Sequence, residues 1–210
     1  MNVLLVHGMG RTPLSMWRLA RALRQAGSAT ELFGYLAARQ SVEEIVRKLR
    51  KRLEALAGDE YVVIGHSLGG VLLRAAVATL PAGVRRPRRI IMLATPNHSP
   101  RLARRFEHAW WYRTLNGDAG QWLADEGHFA GIPPIDVPCT VIAGTLGIHG
   151  RWSPFGSEAN DGLVTISETR LATADESIEV RATHAFIMND ASVRDLVMER
   201  CAGPATQSSS

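Results

Sequence analysis

Four short runs of nearly unbroken apolar residues punctuate the chain: Val3–Val6, Tyr61–Gly65, Arg89–Ala94 and Thr140–Ala143. No other feature constrains the fold as tightly. A strand that is apolar on both faces must be covered on both, and the crossover helices of a parallel sheet supply that cover. Two weaker runs, Thr30–Tyr35 and Ile178–Arg181, bring the candidate strands to six. The clearest helix is Ser41–Ala57. Ser41 and Glu44 have capping-box spacing, and Val42, Ile45, Val46, Leu49, Leu53 and Leu56 form one stripe. Further helices are expected over Leu14–Ala26, Leu68–Leu80 and Ser192–Cys201, the second of them stopped by Pro81. The pattern predicts an α/β chain with a roughly six-stranded, mostly parallel sheet and helices on both faces.

A length of 210 residues with 46% hydrophobic content suits one domain, taken here as residues 1–201, with a disordered tail over 202–210. Residues 96–138 interrupt the regular alternation and read as a cap or pocket-wall insertion. No apolar run approaches the roughly 18 residues of a membrane span. The start, MNVLLVHGMG, lacks the basic lead and long apolar stretch of an export signal, so a cytoplasmic location is expected. The net charge of +4 comes from 24 basic residues, of which only Lys48 and Lys51 are lysines. The arginines are scattered, and the tightest group, Arg85, Arg86, Arg88 and Arg89, has no aromatic residues among it. A nucleic-acid partner is therefore not expected. Cys139 and Cys201 are too few and too isolated for a disulfide framework or a zinc site, and no cofactor or metal is expected.

The third strand runs directly into Gly65-His66-Ser67-Leu68-Gly69-Gly70 and then into a helix. A serine on so sharp a strand-to-helix turn stands clear of both elements, with the helix amides and dipole aimed at its hydroxyl. Gly65 and Gly69 carry no Cβ to collide across the turn, and Gly70 allows close helix–sheet contact. A serine hydroxyl needs a base and an orienting acid to act as a nucleophile. In a sheet of this kind these follow later strands, in the order serine, acid, histidine. His184, directly after the last strand, is the base. His7 and His66 precede Ser67 in the chain, His98 lies in the irregular region, and His108, His128 and His149 read as surface or capping residues. Asp161, in the turn Asn160-Asp161-Gly162, is the acid, with Glu158 in reserve; Glu168, Asp175 and Glu176 are the other candidates. The oxyanion donors are the backbone N–H of Leu68 and that of Met9, in the loop that Gly8 and Gly10 let fold close.

The order VLLVHGMG, VVIGHSLGG, LATPNHSP, NDGLVTISETRL, THAFIMND resembles the small bacterial lipases and esterases of the α/β-hydrolase superfamily, over Val3 to about Met198. The resemblance implies a minimal α/β-hydrolase fold, a Ser67–Asp161–His184 triad, Met9 and Leu68 as oxyanion donors, and Thr95–Ser99 at the pocket mouth. The residue two positions after His184 is Phe186, where some larger lipases carry a calcium-binding aspartate, so no calcium is expected. The expected activity is hydrolysis of short- to medium-chain acyl esters, including lipids. Trp110, Trp111, Tyr112, Trp122, Phe129, Trp152 and Phe155 are candidates for walling an acyl pocket. A thioesterase or acyltransferase with the same triad, and a silent ligand-binding relative, remain as alternatives.

Overall fold

The computed structural model of the chain describes residues 1–202. Six strands form one sheet: β1 Asn2–Val6, β2 Ala29–Phe33, β3 Tyr61–His66, β4 Arg89–Leu93, β5 Cys139–Gly144 and β6 Glu176–Val180. Their order is β2-β1-β3-β4-β5-β6, and every pairing is parallel, so the expected "mostly parallel" sheet is wholly so. The chain leaves β1 for β2 on one side and returns to β3 on the other. The direction of winding therefore reverses between β1 and β3, and in open α/β sheets ligands bind outside the carboxyl ends of strands at such a point.

Alternate side chains explain the two-layered cover. Leu4, Val6, Val63, Ile90, Met92 and Val141 face α2 (Val42–Leu56) and α3 (Leu68–Ala78). Val3, Leu5, Ile64, Ile91, Leu93 and Ile142 face α1 (Trp17–Gln25) and α8 (Ala191–Ala202). The first expected helix divides, because Pro13 opens a 3-10 turn over Pro13–Met16 before α1 begins. Ser41 caps α2 by accepting the Glu44 N–H at 3.1 Å, but the first N–H of that helix goes to Asp118 Oδ2 at 2.9 Å. The reciprocal capping box lies instead at Thr165 and Glu168, opening α7 (Ile166–Thr169).

Between β4 and β5 the irregular region contains three helices: α4 Arg101–Phe106, α5 Trp110–Ala124 and α6 Glu126–Ala130. Gly117 breaks α5 with a φ of 56° and packs against Ala37 and Ala38, so α5 crosses the carboxyl end of the sheet near β2. Ala202 belongs to α8, one residue beyond the expected end of that helix; the rest of the expected tail, 203–210, lies outside the described residues. Among the described residues no helix is long and apolar enough to cross a membrane.

Candidate active site

β3 ends at His66 and α3 begins at Leu68, which leaves Ser67 alone to reverse the chain at φ 51°, ψ −124°. A residue with a Cβ is strained there by about 1–3 kcal/mol and persists only where its surroundings fix it. Ser67 N–H donates to Leu93 O at 2.8 Å and Ser67 O accepts from Gly70 N–H at 2.9 Å. The glycines act somewhat differently from the expectation. Only Gly65 clears the turn itself, since a Cβ there would strike the backbone of Gly70. A Cβ on Gly69 would strike the carbonyl oxygens of Val6 and His7, and one on Gly70 would strike the Thr95 side chain. Gly69 thus seats the start of α3 on the end of β1, next to the Gly8–Gly10 loop.

That loop turns tightly, with Arg11 N–H donating to Gly8 O at 3.3 Å and Gly10 at φ 66°. A Cβ on Gly8 would lie 3.1 Å from Ser67 Cβ, so the two loops touch. Leu68 N–H is a first-turn donor of α3 without a partner inside the helix, and the macrodipole adds positive potential at the same place. His7 anchors the loop from below. Its ring stacks on Tyr35 at 4.3 Å, its main-chain oxygen accepts from the Tyr35 hydroxyl at 2.8 Å, and its Nδ1–H donates to Gly8 O at 2.8 Å. Tyr35 therefore leaves the expected second strand, which ends at Phe33, and serves the loop.

The structure brings the three candidate side chains together. His184 Nδ1–H donates to Asp161 Oδ2 at 2.7 Å, and its Nε2 accepts from the Ser67 hydroxyl at 2.9 Å. An ionised carboxylate only accepts hydrogen bonds, which fixes the proton on Nδ1 and leaves the Nε2 lone pair for the serine. Asp161 is 3% exposed and His184 7% exposed. The second oxygen of Asp161 accepts from Leu163 N–H at 2.9 Å and Val164 N–H at 2.8 Å. Gly162 at φ 102° and the fully buried Asn160 shape this turn. The other acids are engaged elsewhere. Glu158 pairs with Arg101, Glu168 accepts from Thr165 N–H, Asp175 accepts from Cys139 N–H, and Glu176 pairs with Arg200.

The main chain of His184 is held as firmly as its ring. Its N–H donates to Asp161 O at 2.9 Å, and its C=O accepts from His66 Nε2–H at 2.9 Å. The next carbonyl, Ala185 O, accepts from Arg11 Nη2 at 3.0 Å. Burial, reinforced by the nearby His184, Arg11 and His7, pushes the His66 pKa well below its ordinary value. His66 is therefore neutral, with its proton on Nε2. Its Nδ1 is buried without a partner and faces Gly8, where a Cβ would lie 2.8 Å away. His66 does not serve as a base, but it braces the histidine that can. Arg11 and Tyr35 carried no signal in the sequence, because their contacts here are made only across the fold.

Within the segment Thr95–Ser99, Thr95, Asn97 and Ser99 are at most 4% exposed, while His98 is exposed and lines a groove together with Asn97. Of the aromatic candidates, Tyr112, Trp122, Phe129 and Phe155 are buried, while Trp110, Trp111 and Trp152 are exposed. The grooves beside the site have other walls. One of about 630 Å³ runs along the His184 loop between Leu14, Trp17, Leu146 and Phe186. Another of about 470 Å³ lies beside the Gly8–Gly10 loop, under Tyr35 and Leu36. Among the described residues no group of three or more His, Cys, Asp or Glu side chains is placed to hold a metal.

Three comparisons bear on this geometry. Among curated proteins no sequence match is found. The fold resembles the mature form of the lipase BlEst2 from Bacillus licheniformis, with a TM-score of 0.69 and 20% identity over 89% of this chain and 86% of that one. It resembles the RedJ thioesterase from Streptomyces coelicolor, with a TM-score of 0.64 and 18% identity over 95% and 84% of the two chains. It also resembles the phospholipase PlaB from Legionella pneumophila, with a TM-score of 0.64 and 17% identity, though over 81% of this chain and only 46% of that one. The model of the alpha/beta hydrolase family matches residues 3–203, nearly the whole sequence, and the chain belongs to that family.

Proposed function

We propose that this protein is a serine hydrolase of carboxylic esters with short to medium acyl chains. One observation carries the reading. A strained serine at a helix N-terminus lies 2.9 Å from a histidine whose other nitrogen is 2.7 Å from a buried carboxylate. In the proposed mechanism His184 Nε2 takes the proton of Ser67 as the hydroxyl attacks the ester carbonyl, and Asp161 stabilises the imidazolium that forms. The oxyanion rests on the Met9 and Leu68 amides. His184 returns the proton to the departing alcohol, and a water repeats the sequence to release the acid. The groove along the His184 loop sets Leu14, Trp17, Leu146 and Phe186 beside Arg18, Arg181, Asn189 and Asp190, and its apolar half offers room for an acyl chain. We take residues 1–201 as one domain, with residues 96–138 as a wall beside the site.

The test is labelling with a fluorophosphonate followed by a series of p-nitrophenyl esters of rising chain length. Labelling and turnover are expected in the native protein and absent after Ser67→Ala. Labelling that survives the substitution overturns the reading. The fold shared with the RedJ thioesterase makes thioesters the second substrate series, and thioester turnover far above that of oxygen esters changes the assigned class.

A further inference from the structure

Arg74 lies on α3, seven residues beyond Ser67 and so about 10 Å along the helix axis from it. Its neighbours on the helix are apolar, yet its long charged side chain turns inward and is only 9% exposed. A guanidinium stays protonated at any ordinary pH, so burial makes it demand a counter-charge. None is present: among the described residues Arg74 takes part in no ion pair. Its Nε is buried without any partner. Its one side-chain hydrogen bond among the described residues is Nη1–H to Asn97 Oδ1, at a long 3.5 Å. Asn97 cannot move closer without loss, since its Nδ2 donates to Thr169 O at 2.8 Å. Burial lowers the Arg74 pKa, and the neighbouring Cys139 thiol, itself pushed up to about 12, offers no negative charge.

Arg74 lines a cavity of about 310 Å³ together with Asn97, His98, Phe129, Ile132 and Leu171. Two charged groups also reach it, Arg170 and Glu126. Glu126 does not serve Arg74. One of its carboxylate oxygens accepts from Ser99 N–H at 2.7 Å and the other lies 3.1 Å from His98 Nδ1. The cavity thus combines an unmatched planar cation with apolar walls, at the small end of the volumes that hold organic ligands. We propose that it binds a small organic carboxylate, whose two oxygens take the Arg74 guanidinium and whose short apolar body lies against Phe129, Ile132 and Leu171. The fork of Arg74 matches a carboxylate in a bidentate pair, and the pair removes the one uncompensated buried charge on α3. The site contains none of the Ser67, Asp161 or His184 side chains and does not depend on the hydrolase reading.

Hexanoate is the probe, with chloride and inorganic phosphate at matched ionic strength as controls. Binding is read by thermal unfolding and by calorimetry, neither of which uses activity. At a hexanoate concentration of about ten times Kd the melting temperature is expected to rise by about 3–6 °C. Each variant is compared with its own unliganded state. Arg74→Met is expected to abolish the shift, and a shift that persists in it overturns the site. Arg74→Lys keeps the charge but loses the fork. It is expected to at least halve the shift, and it carries the same test if Arg74→Met does not fold. No shift with hexanoate overturns the proposal, and a shift with phosphate alone overturns the carboxylate assignment.

Discussion

His184 sits on the loop after β6, a half-exposed edge strand, yet both of its main-chain polar groups are taken. The bond from His66 reaches it from the centre of the sheet, and a tether of that kind fixes where Nε2 points. Its removal is therefore expected to act on the chemical step rather than on substrate binding. Gln at position 66 places an amide N–H as far along the side chain as Nε2 and should keep the bond to His184 O. Asn ends one bond short, and Leu has no donor at all. We expect His66→Gln to stay within a few-fold of native kcat. His66→Asn and His66→Leu should lose on the order of 10²-fold in kcat with little change in KM, the scale of an ångström's misplacement. Equal kcat across the three variants refutes the tether. Asp161→Asn tests the other hold on the ring. An amide in place of the carboxylate favours the wrong tautomer, and a fall in kcat on the order of 10⁴ is expected with the fold intact. Circular dichroism alongside the steady-state rates separates the two effects.

Element packing decides how closely the Gly8–Gly10 loop and the Ser67 turn approach. Gly69 lets the first turn of α3 rest on the carbonyl oxygens that end β1, and nothing there can yield, because both contacts are backbone. Gly69→Ala must push α3 outward. We expect a loss of about 1–3 kcal/mol in chemical denaturation, as for overpacking elsewhere, together with loss of fluorophosphonate labelling; native stability with native labelling contradicts this account of the helix seat. The same local physics explains what the sequence makes legible. β1, β3, β4 and β5 are apolar on both faces, so their runs admit no other reading. β2 and β6 are edges, and their ends lie one or two residues from the expected ones because an edge strand needs less apolar character. Ser67, Asp161 and His184 could each be located by the strand it follows. The bonds from His66 to His184 O and from Arg11 to Ala185 O span 118 and 174 positions, and no local pattern announces them. The inner half of the β4–β5 connection was equally hidden. Trp110 and Trp111 read like Tyr112 and Trp122 in composition, but only the latter two find partners in the core.

Across the whole molecule, the cost of this arrangement falls on acid stability. His7 and His66 are both buried at the switch point between β1 and β3, and burial lowers both of their pKa values. In the unfolded chain each takes up a proton near pH 6.5. In the folded chain each stays neutral below that pH. The unfolded state thus binds more protons as the solution is acidified, and stability must fall with pH by up to about 1.4 kcal/mol per pH unit for each histidine. The loss begins near 6.5 and ends for each group at its lowered folded value. The Glu176–Arg200 pair, bonded at 2.6 and 2.7 Å, holds the Glu176 carboxyl below its ordinary value. Its contribution is present above the usual carboxylate range, begins to fade as pH drops into that range, and is gone below the lowered folded value. The two effects therefore separate in pH. Urea midpoints should hold between pH 7.5 and about 6.5 and then fall steadily to pH 5 in the native protein, ahead of any carboxylate titration. In His66→Gln, which keeps the bond but cannot titrate, the slope over this interval should drop, leaving only the smaller share of His7. A native slope that is flat, or one unchanged by the substitution, would show that His66 is not held neutral at the heart of the site.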